Sequence, residues 1–181
     1  MRKVIVSTNV TLDGRVDEIR DWALPYDDSE FAEYHTDLLR NSDGLLLGRK
    51  TYEMFAAVWP SRAGESPVAD PINSMPKYVA STTLKDLEWE NSHLIESDVP
   101  EGVAKLKEQP GQDLIMYGSH DLMQSLLEHD LIDEYRIWVH PVVLGNGMSL
   151  FKDGVKRMAL NLVDTTVLSS GVAILTYQSE R

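Results

Sequence analysis

Residues 113–145 read DLIMYGSHDLMQSLLEHDLIDEYRIWVHPVVLG. DLIMY is an apolar run of strand length that stops at Gly118, and the period then changes. Leu122, Met123, Leu126 and Leu127 fall on one face of a helix, whereas EYRIWVH alternates with the period of a strand. A buried strand, a glycine, an amphipathic helix and a further strand form the unit that links parallel strands.

The same pattern repeats upstream. GLLLG (44–48) reads as a buried strand, and TYEMFAAVW (51–59) carries Tyr52, Phe55, Ala56 and Trp59 on one side, which predicts a helix. KVIVSTN (3–9), KYVAS (77–81) and a short segment at 93–95 are further strands, and a short helix at 100–108 is closed by PGQ. The Asp-Gly pair in TLDG (11–14) marks a turn, followed by a polar loop through Pro25. Phe31, Tyr34, His35, Leu38 and Leu39 then form the stripe of an amphipathic helix that Asn41–Gly44 stops. PSRAGESPVADPINSMP (60–76), with four of the eight prolines, predicts a surface loop or lid. A hairpin at 157–168 and 172–179, around SSG, ends the chain. The expected fold is one α/β domain over 1–181: a mixed, mostly parallel sheet flanked by helices, with a C-terminal antiparallel hairpin.

Composition narrows the function. Among 181 residues, 29 acids face 17 Lys and Arg, a net charge of −12 without a dense basic cluster, which argues against nucleic acid and anionic membranes as partners. No apolar run approaches the ~20 residues of a membrane span, and the N-terminus shows no cleavable leader pattern, so a cytoplasmic location is expected. With no cysteine, disulfides, thiolate catalysis and Cys-containing zinc sites are excluded. The five histidines include no HExxH and no close pair, so no metal is expected.

Two strands, LLLGRKT and IMYGSHD, end in glycine at a helix start. A helix N-terminus presents unpaired N–H groups and about half a positive charge, and glycine admits a phosphate close to the backbone. In a parallel sheet two such ends can lie side by side at the carboxyl edge, where α/β ligands bind. KYVASTT (77–83) adds three hydroxyls which, with Arg49 and Lys50, suit a 2′-phosphate. The alternative is an ordinary strand-to-helix turn, with Ser81, Thr82 and Thr83 as plain turn residues.

These residues resemble the dihydrofolate-reductase-like fold, and within it the reductase domain of bacterial riboflavin biosynthesis and its stand-alone relatives. The resemblance rests on STNVTLDG (7–14), LLLGRKTYE (45–53), PKYVAST (76–82), the block 114–147 and LF (150–151). It implies an NADPH site, with Gly48, Arg49, Lys50 and Thr51 at the adenosine-side phosphates and Ser81, Thr82 and Thr83 nearby. Gly118, Ser119, His120, Asp121 and Leu122 would hold the pyrophosphate, and Asn9 and Val10 would border the nicotinamide. It also implies a homodimer, to which the strand of Tyr135, Ile137 and Val139 could contribute. Two departures stand out: Tyr117-Gly118 replaces the two consecutive glycines common in the family, and these 181 residues hold no cysteine, so the zinc deaminase domain of the bifunctional enzyme is expected to be absent.

Reduction of a C=N bond needs a proton at nitrogen. WALPYDDSEF (22–31) matches the tryptophan, Leu-Pro and acid order of dihydrofolate reductases, which places the acid at Asp27. Asp27 and Glu30 also have capping-box spacing, so a helix cap is the alternative. The expected activity is NADPH-dependent reduction of a small nitrogen heterocycle, of pterin or aminopyrimidine class, or of its ring-opened sugar derivative. A ribosylaminopyrimidine, dihydrofolate, and a nucleotide-binding role without turnover remain the three open readings.

Overall fold

The computed structural model describes residues 1–95 and 98–180; Glu96, Ser97 and Arg181, which the single-domain expectation over 1–181 spans, lie outside the described residues. In chain order the elements are β1 (Val4–Thr11), α1 (Ile19–Trp22), α2 (Ser29–Arg40), β2 (Ser42–Gly48), α3 (Arg49–Val58), α4 (Ala69–Ser74), β3 (Lys77–Ala80) and β4 (Ser92–Leu94). They continue with α5 (Val99–Glu108), β5 (Asp113–Tyr117), α6 (His120–Glu128), β6 (Glu134–His140), β7 (Leu160–Val167) and β8 (Ala173–Ser179). Short 3₁₀ turns cover Leu24–Tyr26 and Pro60–Arg62.

The strands form one sheet in the order β4-β3-β2-β5-β1-β6-β8-β7. Pairing is parallel from β4 to β6 and antiparallel in β6-β8-β7. Helices cover both faces of the parallel part, which explains why its strands read as continuous apolar runs rather than alternating ones. Strand periodicity divides them between two cores. Val4, Val6, Leu46, Leu114 and Met116 pack with Val103, Leu106, Leu122, Met123, Leu126 and Leu127 of α5 and α6. Ile5, Leu45, Leu47 and Ile115 pack on the opposite face with Leu38, Leu39, Tyr52, Ile72 and Met75 from α2, α3, α4 and the residue after it.

Two expectations are corrected. The stretch 60–76 is not a lid: it contains α4, whose Ala69 and Ile72 are buried. Asn73 anchors it, donating to Trp59 O at 2.8 Å and accepting from Trp89 Nε1 at 3.1 Å. The prolines shape the entry into this short helix, and apolar burial holds it down. Its neighbour Lys77 is fully buried, donating to Asn73 O and Glu90 O and lying 4.3 Å from the Trp89 ring centroid. Burial lowers the pKa of this lysine to about 8.

The cap of α2 is Asp28, which accepts from Phe31 N at 2.8 Å, and not Asp27, which ends the preceding 3₁₀ turn. The strand of Tyr135, Ile137 and Val139 is interior, between β1 and β8, with Tyr135 and Ile137 buried and Val139 partly exposed. The edge strands are β4 and β7, and β7 exposes Leu162, Val163 and Val167.

Candidate functional site

β3, β2 and β5 are consecutive, parallel neighbours, so their carboxyl ends stand side by side. Above them lies a cavity of about 520 Å³, lined by residues 48–51 from the β2–α3 junction, 80–83 at the end of β3, and 119–122 at the head of α6. Gly48, Arg49, Lys50, Thr51, Ser81, Thr82, Thr83, Ser119, His120, Asp121 and Leu122 therefore share one site. Val99, Ser125 and Met148 add apolar and small wall positions that no motif in the sequence marked.

The helix starts around this cavity differ from the starts of other long helices. α2 and α5 are capped by aspartates, Asp28 and Asp98, that accept from backbone N–H groups. Neither α3 nor α6, which meet at the cavity, has a side-chain cap. Helix α3 begins directly after Gly48, two residues earlier than its apolar pattern predicts, which brings Arg49, Lys50 and Thr51 into its first turn. Ser119 precedes α6, but its hydroxyl is committed across the site: it accepts from Gly48 N at 3.0 Å and donates to Thr51 Oγ1 at 2.9 Å. The first N–H groups of both helices are left for an anion.

Gly118 has φ +52°, and an added Cβ would meet nothing nearer than Thr51 Oγ1 at 3.9 Å. The left-handed backbone, rather than crowding, favours glycine there. Ser119 follows with φ 52°. Ser81 also works as a turn residue, accepting from Thr83 N at 3.2 Å and Leu84 N at 3.0 Å while it lines the cavity.

Charge within the site is mixed. Arg49 lies 3.4 Å from Glu53 on the surface of α3. Asp121 is met by Lys152 at 2.6 Å, and this hydrogen bond, with the further influence of Lys50, holds its carboxyl below the usual range. Lys152 thus offsets an acid beside the helix N-terminus. His120 Nε2 lies 3.3 Å from Thr8 Oγ1, and burial lowers its pKa.

The remaining sequence candidates lie outside this cavity. Val10 is buried in the core on the α5–α6 face. Asn9 points to the other face, where its Oδ1 is 2.9 Å from His140 Nε2. Asp27 is exposed at the head of α2, without a side-chain hydrogen bond among the described residues. Partial desolvation, helped by the neighbouring Asp28 carboxylate, raises its pKa. Asp13 accepts from Thr11 Oγ1 and from Leu144 N and Gly145 N, tying the TLDG turn to the loop after β6, and these bonds lower its pKa to about 2.

Strand order, the two-faced helical cover and the antiparallel end define a dihydrofolate-reductase-like α/β protein. Dihydrofolate reductase of Schistosoma mansoni shares the fold with a TM-score of 0.66 at 12% identity, over 99% of both chains. The chain belongs to the RibD C-terminal domain family, whose model matches residues 2–174. It is 34% identical to the uncharacterized protein YyaP of Bacillus subtilis (strain 168), over 97% of this chain and 94% of that protein. A putative riboflavin biosynthesis protein from Shewanella sp. PV-4 is similar with a TM-score of 0.79 and 25% identity, over 99% of both chains. The diaminohydroxyphosphoribosylaminopyrimidine deaminase/5-amino-6-(5-phosphoribosylamino)uracil reductase of Thermotoga maritima is similar at 14% identity with a TM-score of 0.67, over 98% of this chain and 56% of the longer one.

Proposed function

We propose that the protein is an NADPH-dependent reductase of a small nitrogen heterocycle or of a ribosylaminopyrimidine. The observation that carries this reading is the meeting of two helix N-termini without side-chain caps, α3 and α6, over one cavity with Lys50, Arg49 and three hydroxyls. The chemistry of that donor set fits a phosphorylated dinucleotide: free N–H groups and Gly118 suit the pyrophosphate, while the basic and hydroxyl groups suit the 2′-phosphate. A volume of about 520 Å³ lies in the range of small-molecule sites. Family membership and the riboflavin-pathway names of similar structures support the reductase reading.

When bound, NADPH would supply a hydride to the carbon of the substrate's C=N bond, in the heterocycle or in its ring-opened sugar. The chain's residues have three tasks. Gly48, Arg49, Lys50 and Thr51, with Ser81, Thr82 and Thr83, hold the adenosine side. Gly118, Ser119, His120, Asp121 and Leu122 would orient the pyrophosphate, and Asn9 and Val10, whose side chains are engaged on opposite faces of the sheet, would border the nicotinamide only through the backbone at the end of β1. Asp27, whose carboxyl stays protonated to higher pH than a free aspartate, would supply the proton for the nitrogen of that C=N bond.

The test is calorimetric titration of the purified protein with NADPH and with NADH. Micromolar or tighter NADPH binding with a clear preference over NADH is expected; absence of binding by either ends the reductase reading.

A further inference from the structure

His120 is the first residue of α6 and lines the cavity. Its Nε2 is engaged outside the lining, 3.3 Å from the hydroxyl of Thr8 on β1. That hydroxyl has a carbonyl acceptor of its own, Asn9 O at 3.4 Å, so towards the ring it accepts, and Nε2 carries the hydrogen. In the neutral imidazole Nδ1 is then a bare lone pair, and it makes no hydrogen bond among the described residues. The oxygens of an ionised pyrophosphate only accept. A neutral His120 therefore offers such an anion a second acceptor where a donor is needed.

The fixed charges around the cavity do not make up for this. Arg49 is paired with Glu53, and Lys152 with Asp121. Lys50, the remaining cation of the lining, also acts on Asp121. These cations are thus partly neutralised by acids of the protein before a pyrophosphate, with its two negative charges, arrives. The surroundings of the imidazole are balanced in the same way. Burial keeps it neutral in the free protein; Asp121 on its own helix and Asp17 from the loop after β1 favour the charged form, and Lys152 from the segment after β6 opposes it.

We infer that binding of a pyrophosphate at the head of α6 is proton-coupled: the neutral imidazole of His120 takes up one proton from solvent at Nδ1 as the anion arrives, and holds a phosphate oxygen with it. The imidazolium supplies both the donor and the positive charge that the paired cations lack, and no covalent bond of the ligand changes. Burial sets the titration of the free ring below its ordinary 6.5, and bound phosphates raise it. Below the lower value both states carry the proton, and above the higher value neither does. Affinity therefore falls as pH rises through the window between them.

Proton coupling rests on the reading of the cavity as a dinucleotide site, and the two are tested apart. ADP-ribose is the first probe, because its pyrophosphate stays fully ionised at neutral pH, whereas the 2′-phosphate of NADPH itself titrates at pH ~6. Calorimetry at pH 6.5 in buffers of different ionisation enthalpy counts the protons taken up. The wild type should take up several tenths of a proton, and its affinity should fall roughly threefold to tenfold from pH 6 to pH 8. His120→Gln, which can keep a hydrogen bond to Thr8 but cannot titrate, should bind without uptake and with a flat pH profile. Binding without uptake in the wild type overturns the coupling by itself, whether or not the variant folds, and so does uptake that survives His120→Gln. NADPH is titrated alongside. If ADP-ribose binds with His120-dependent uptake while NADPH does not bind, the coupling stands and the reductase reading falls. Absence of binding by both probes overturns both.

Discussion

The Gly48 backbone N–H donates to the Ser119 hydroxyl at 3.0 Å, and that hydroxyl donates to Thr51 Oγ1 at 2.9 Å. Residues 71 and 68 positions apart thereby lock the heads of α3 and α6 together. Ser119 would ordinarily cap α6; here it braces α3, and the amides of α6 stay free for a ligand.

Ser119→Ala leaves a partly buried amide and a threonine hydroxyl without this partner. The expected cost is about 1–2 kcal/mol. At this chain length that is a fall in melting temperature of roughly 2–8 °C by differential scanning calorimetry. NADPH affinity should also fall as the two helix starts loosen. An unchanged melting temperature would remove the brace from the account.

Arg49 is half-exposed and shares its charge with Glu53, so its contact with a cofactor phosphate is partly screened. Arg49→Ala should weaken NADPH roughly tenfold to a hundredfold, toward the lower figure. NADH binding should change much less. Equal losses for both would move Arg49 from the 2′-phosphate to the pyrophosphate they share.

Asp27→Asn keeps the shape of the α2 head but removes the proton. Hydride transfer to a pyrimidine or pterin substrate should slow by roughly a hundredfold, with NADPH affinity intact. Asp28 supplies the helix cap, so folding should be unaffected. A full rate in single-turnover measurements would assign the proton to another group.

His35 and His140 are each held at about 4 by burial, against an ordinary 6.5. As pH falls from 6.5 toward 4, the unfolded chain takes up protons that the folded chain refuses. Stability present above pH 6.5 is therefore lost across that window, at up to about 1.4 kcal/mol per pH unit for each histidine. Melting at pH 5 should lie well below melting at pH 7, and His140→Gln should flatten the dependence. A flat profile in the wild type would show that both rings protonate without cost.

The apolar runs of β1, β2 and β5 were legible because each is buried on both faces, and burial on both faces leaves no polar period to confuse the reading. The glycines before α3 and α6 were legible for a related reason: a change of period at a glycine marks a strand that hands over to a helix. Helix α4 escaped notice because its six residues are too few to show a period and prolines surround it. What holds it is the contact of Ile72 and Met75 with residues distant in sequence. The cap of α2 was misread by one residue, since Asp27 and Asp28 are equivalent by composition and only backbone geometry separates them.

The sequence by itself determined the layered α/β architecture, the parallel strands with their antiparallel end, and the residues of the β2, β3 and β5 ends, because local periodicity and turn chemistry encode these. Tertiary structure alone decided that those ends meet over one cavity, that Ser119 braces the neighbouring helix, and that His120 of α6 meets Thr8 of β1. Each of these is a contact between segments far apart in the chain, and such a contact depends on strand order and side-chain direction, which no local pattern carries.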